Sequence, residues 1–141
     1  MKCRIFIWLA LQFRLWTLDR RARHGLQDEA SACYTCLQET DTVSHILVGC
    51  VYSRQVWFEV FQYLGIVSGL PQLTDTLSSW WFRERKRFCK KDRRGFDTLV
   101  ILACWRLWKQ RNARAFNNVH GQFSVLGLRD QIVAEWVPSG K

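Results

Sequence analysis

Apolar positions recur at helical spacing along most of the chain, and they almost never alternate as they would in a strand. In residues 4–23, Ile5, Trp8, Leu9, Phe13 and Trp16 fall on or near one helical face. Arg20, Arg21 and Arg23 then lead to Gly25, a C-cap. Residues 26–42 are polar and read as a loop. Residues 43–48 suit a short helix carrying His45. Ser53 is placed to cap a helix through Leu64 that stops at Gly65, with Val56, Trp57, Val60, Phe61 and Leu64 as its apolar stripe. After a loop around Gly69-Leu70-Pro71, a helix starts at Thr74 or Asp75 and carries Leu77, Trp80, Trp81 and Phe88. Phe96 to Phe116 reads as the longest helix. Its first half, Leu99 to Trp105, is apolar all round and should be central, while Lys109, Arg111 and Arg114 suit a helix C-terminus. Ser124 to Trp136 forms the last helix, with Val125, Leu128, Ile132 and Trp136 on one face.

Composition agrees with a packed helical fold. The chain has 141 residues, of which 48% are hydrophobic, with eight Trp and nine Phe. That length suits one domain with at most a small appendage. The formal charge is +9 and the pI about 9.7, which favours polyanionic partners, nucleic acid first and acidic membrane surfaces second. Much of that charge sits between Arg83 and Arg94. Arg83, Arg85, Lys86, Arg87, Lys90, Lys91, Arg93 and Arg94 face only Glu84 and Asp92 there. The N-terminal apolar run, Ile5 to Leu11, is too short to span a bilayer and lacks a small-residue cleavage site. The expectation is an intracellular protein, nuclear or cytoplasmic, with reduced thiols and no membrane partner.

Reduced thiols bring the candidate chemistry forward. Cys33, Cys36, His45 and Cys50 read C-x2-C-x8-H-x4-C. Three thiolates and an imidazole suit one tetrahedral structural Zn²⁺ with no open position for substrate. The competing readings are loop thiols with Cys50 as a small buried hydrophobe, or a Cys33–Cys36 disulfide, which needs an oxidising compartment. His45 and Cys50 lie five apart, about 140° around a regular α-helix, so Gly49 must break the helix for both to reach one metal. The expected fold class is mainly α: a small helical domain with an inserted zinc knuckle-like loop.

Several segments together resemble the reverse-transcriptase zinc-binding domain of plant non-LTR (LINE-type) retrotransposons. They are Arg4-Ile5-Phe6-Ile7-Trp8-Leu9-Ala10, Arg14-Leu15-Trp16-Thr17, Arg20-Arg21, the Cys/His quartet, and Ser53-Arg54-Gln55-Val56-Trp57. The run from Trp105 to Phe116 is similar to a segment that often follows it. The resemblance implies residues 1–64 as the zinc-binding domain and 65–141 as a helical extension packing on it. It implies Cys33, Cys36, His45 and Cys50 as ligands of one Zn²⁺, and a role in nucleic-acid handling beside a reverse transcriptase. The endonuclease and polymerase domains of such polyproteins do not occur in these residues.

No catalytic centre is expected. The twelve acidic residues are scattered, with no set resembling a two-metal site. His24 and His120 stand beside glycines as surface residues, and no Gly-rich phosphate loop appears. Cys89 lies between basic residues without an identifiable His partner, and Cys3 and Cys104 sit in apolar runs. Two function classes follow. One is a non-catalytic zinc-stabilised module binding RNA or single-stranded nucleic acid through the basic residues 83–94, without a small-molecule substrate. Tyr34, Trp80 or Trp81 would stack on bases, though core packing is the simpler reading of the two tryptophans. The other is a helical docking module once packed on other domains of a retroelement polyprotein, or a decayed fragment without cellular function.

Overall fold

The computed structural model describes residues 2–12, 15, 42–72, 74–116 and 124–139. Five helices span most of them: α1 (Lys2–Leu11), α2 (Val51–Leu64), α3 (Leu77–Arg85), α4 (Lys90–Phe116) and α5 (Val125–Ser139). A single π-helical turn, His45–Gly49, precedes α2. The described residues contain no strand, so the mainly α class holds. None of the described helices is long and apolar enough to cross a membrane.

The long helix α4 is central. It packs against α1, the π turn, α3 and α5, while α2 packs on α5 and the π turn. Leu99, Val100, Ala103, Cys104 and Leu107 of α4 are buried, as an all-round apolar half demands. Burial also pushes the Cys104 thiol well above its ordinary range. One core cluster joins Phe6 and Ile7 to Leu47, Trp57, Trp80, Phe96 and Ile132, so it draws on both sides of residue 64. Its aromatic centre sets Trp57 4.8 Å from Trp80, with Phe61 5.7 Å from Trp57.

Local chemistry explains most element ends. Helix α2 stops where expected, because Gly65 adopts a left-handed φ of 69°. Its amide and that of Ile66 donate to the carbonyls of Gln62 and Phe61, closing the helix. Val56, Trp57, Val60 and Phe61 are buried as its stripe. The start differs from the expectation. Cys50, in extended backbone, precedes the helix, and Ser53 is buried inside it rather than capping it. Helix α3 begins after Thr76, not at Thr74 or Asp75, because Thr76 and Ser79 cap each other reciprocally. It ends at Arg85, so Phe88 lies in the turn beyond it.

Two further corrections have tertiary causes. Helix α4 begins at Lys90 rather than Phe96. Arg93 reaches back from its first turn and donates to the carbonyls of Arg85 (3.1 Å) and Phe88 (3.0 Å), joining α4 to the end of α3. Asp97 adds to this joint, accepting from Trp81 Nε1 (2.8 Å) and pairing with Arg85 (2.8 Å). Helix α1 ends at Leu11 instead of continuing to residue 23; Gln12 lies in a turn and Leu15, buried, in a bend. Its buried face is Phe6, Ile7 and Ala10, whereas Ile5 and Trp8 are exposed at 62% and 54%. The helix is apolar on nearly every side, so contacts with α4 choose the face. Phe6 packs edge-on to Trp105 at 5.3 Å. Phe13, Trp16 and the Gly25 cap lie outside the described residues, as do His24 and His120, and the Cys3 side chain is not described.

Candidate metal centre and basic face

The π turn carries the described half of the Cys/His quartet. Its defining bond runs from the Cys50 amide to the His45 carbonyl, five residues back, at 2.7 Å. In an α-helix, hydrogen bonding stacks residues four apart; here it stacks residues five apart. The widened turn therefore ties the backbone of Cys50 directly to that of His45. The segment is therefore not a regular α-helix, and Gly49 ends the turn just before extended Cys50.

A turn of this kind leaves carbonyls without helical partners. Two side chains of α2 supply donors. Ser53 Oγ donates to the Ile46 carbonyl, and Trp57 Nε1 donates to the Leu47 carbonyl at 2.8 Å. At the other end, the His45 amide donates to Thr42 Oγ1 at 3.1 Å. Ile46, Leu47, Val48, Gly49 and Cys50 are all buried, and His45 is half-buried. The turn is thus held from three directions before any metal is considered. Sequence reasoning assigned Ser53 to a cap and Trp57 to the core. Their spacing of four, which puts both on the face of α2 turned back toward the ligand segment, was the available signal.

Cys33 and Cys36, the other two predicted ligands, lie outside the described residues. Among the described residues no three His, Cys, Asp or Glu side chains form a group able to hold a metal ion. The described half nevertheless fits zinc. A buried thiol and a half-buried imidazole, one turn apart on a pinned backbone, are soft and borderline donors of the kind a structural Zn²⁺ takes.

The basic residues divide into two sets. Arg83 pairs with Asp75 (2.9 Å) and Glu84 (3.1 Å), Arg87 with Glu84 (2.9 Å), and Arg85 with Asp97. Arg93 is engaged on carbonyls. Arg85 and Arg93 hold the α3–α4 joint, while Arg83 and Arg87 pair with α3 itself and the loop before it. Glu84, almost fully buried, also accepts from the Gly69 amide at 2.8 Å. A Cβ at Gly69 would meet that carboxylate at 2.7 Å, so a larger residue there would make the Glu84 side chain shift. Lys86, Lys90, Lys91 and Arg94 are exposed and make no ion pair among the described residues. Three of them sit in the first turns of α4, where the helix dipole already presents positive charge and only Asp92 offsets it. Trp80 and Trp81 are core residues, 0% and 6% exposed, and cannot stack on bases. Tyr34 lies outside the described residues.

No curated protein and no solved structure matches the chain. Residues 1–57 match the family described as zinc-binding in reverse transcriptase, a span that includes all four predicted ligands together with Ser53 and Trp57, and the match supports a reverse-transcriptase zinc-binding domain in that part of the chain.

Proposed function

We propose that the chain is a structural-zinc module that binds single-stranded nucleic acid, RNA first, and is not catalytic by itself. Cys33, Cys36, His45 and Cys50 hold one Zn²⁺, which supplies folding energy to the polar ligand loop. Lys86, Lys90, Lys91 and Arg94 contact phosphates and so give affinity with little sequence preference. The observation that carries the zinc half is the 2.7 Å bond between the Cys50 amide and the His45 carbonyl inside a buried turn. It supports the reading because it sets the backbones of His45 and Cys50 one widened turn apart. The nucleic-acid half rests on cations gathered at the N-terminus of α4, an arrangement unfavourable for the helix alone and relieved by an anion. A retroelement of the LINE type is the source this reading favours.

Native mass spectrometry with and without a chelator tests the metal. One zinc per chain is expected, and no zinc on protein purified without chelators would defeat the assignment. Fluorescence anisotropy with labelled single-stranded RNA at several salt concentrations tests the partner. Affinity should fall steeply as salt rises.

A second reading, a protein-docking module, draws on a groove of about 520 Å³ between α2 and the start of α5. Val51, Phe58, Leu70 and Leu126 line it, and Val51, Phe58 and Leu126 are about half exposed. Binding through this groove would respond weakly to salt.

A further inference from the structure

A second cavity, about 390 Å³, opens beside the unpaired cations. Its volume falls within the roughly 300–1,000 Å³ of small-molecule sites. Ile66 and Val67, just past the Gly65 cap, line it together with Phe88, Phe96 and Trp136 of α5. Phe88 and Phe96 are stacked at 4.7 Å, and the Trp136 indole N–H donates to the Gly95 carbonyl at 3.1 Å, which fixes its ring. Lys91 and Arg94 line the same cavity, three residues apart on one face of α4. Asp92 lines it as well, accepting from the Cys89 thiol at 3.3 Å.

We propose that this cavity receives one unstacked nucleotide of a bound RNA strand, with its base against Trp136 and Phe88 and its phosphate on Lys91 and Arg94. The proposal rests on the nucleic-acid reading above and deepens it. Aromatic walls suit a flat π-face, and two cations at a helix N-terminus suit a phosphate. A free inorganic anion would make no use of the aromatic walls, and a neutral apolar ligand would leave the cations without a role. Asp92 offers an acceptor to a base amino group or a ribose hydroxyl. Because stacking tolerates any base, occupancy needs no sequence preference.

The test uses the full chain and anisotropy with two labelled strands, a twelve-nucleotide oligouridine and the same backbone without bases. The unmodified chain should bind the oligouridine about fivefold or more tighter than the abasic strand, the effect of one stacked base. Trp136→Leu should erase that difference, while Trp136→Phe, which keeps a ring, should retain most of it. Lys91→Gln with Arg94→Gln should weaken oligouridine binding more than Lys86→Gln with Lys90→Gln, which removes equal charge outside the cavity. If the two strands bind alike, or the two charge pairs lose affinity equally, the cavity is not a nucleotide site and the phosphate-binding reading stands. If the unmodified chain binds anionic lipid vesicles but no RNA at low salt, both readings fall.

Discussion

The Cys50 amide donates to the His45 carbonyl at 2.7 Å, a bond that closes a π turn between two of the four predicted ligands. A four-residue spacing of hydrogen bonds would turn them apart. The five-residue spacing seen here departs from regular helix geometry in a buried segment. Ser53 and Trp57, from the next helix, satisfy the carbonyls of Ile46 and Leu47.

In the proposed zinc site those two side chains would be positioning residues for His45 and Cys50. Ser53→Ala leaves the Ile46 carbonyl without its side-chain donor in a buried setting, a loss of about 1–3 kcal/mol. Trp57→Phe removes the N–H together with part of the bicyclic ring at a fully buried position, so a cavity adds to the lost bond and the destabilisation should be the larger of the two. Urea unfolding should register both. Chelator competition should also show zinc affinity lowered about tenfold or more, as for other residues that orient metal ligands. A stability loss with unchanged zinc affinity would show that the two bonds hold the core but do not position the ligands.

Cys36→Ser addresses the half of the quartet that the structure does not describe. The variant should lose stoichiometric zinc by native mass spectrometry. Helical circular dichroism should fall only slightly, because α2 and α4 bury apolar stripes of their own: Val56, Trp57, Val60 and Phe61 on one, Leu99, Val100, Ala103 and Leu107 on the other. Zinc retained at one ion per chain would remove Cys36 from the ligand set.

What the sequence disclosed depended on whether the cause was local. The α2 stripe and its end at Gly65 were legible because a 3.6-residue period and a left-handed glycine are local signals. The central, apolar half of α4 was legible for the same reason. The buried face of α1 was not, since Ile5, Phe6, Ile7, Trp8 and Leu9 are all apolar and only Trp105 and Trp108 across the interface select Phe6. The start of α4 was missed because Arg93 joins it to α3 through carbonyls that only the fold brings near. For the candidate site, spacing named four ligands. It could not show a π turn, which depends on donors arriving from Ser53 and Trp57.

Acid should weaken the loop before α3 only below about pH 4. The Arg83 guanidinium, bonded to both Asp75 oxygens at 3.1 and 2.9 Å, holds the Asp75 carboxyl below its usual range, and the Gln72 amide adds to this. The folded value is the lower one, so the folded state binds fewer protons. The contribution is complete above the unfolded value, about pH 4, and is lost as pH falls through the folded value. Asp75→Asn keeps an acceptor for Gln72 but cannot titrate. Its unfolding free energy should be lower than the parent's at neutral pH and should depend less on pH below about 4. Identical acid limbs in the two proteins would rule this pair out as an acid-sensitive contact.

The two sets of basic residues should separate experimentally. Lys86, Lys90, Lys91 and Arg94 are exposed and make no ion pair among the described residues, so changing all four to Gln removes charge without opening the α3–α4 joint. Melting temperature should stay the same or rise, since like charge at the start of α4 is relieved. Affinity for single-stranded RNA should fall, and its salt slope should flatten by roughly 0.7 for each phosphate contact removed. Arg83→Gln with Arg85→Gln should behave the other way. These side chains hold Asp75, Glu84 and Asp97, so stability should drop while the salt slope changes less. Zinc content should match the parent in every variant, because none of the substituted residues belongs to the quartet. If the quadruple variant binds RNA with the parent's affinity and slope, the face at the start of α4 is not the phosphate-binding surface. Should the Arg83 and Arg85 pair carry the slope instead, the contacts lie along α3, and the cations in the first turns of α4 have only a solvating role.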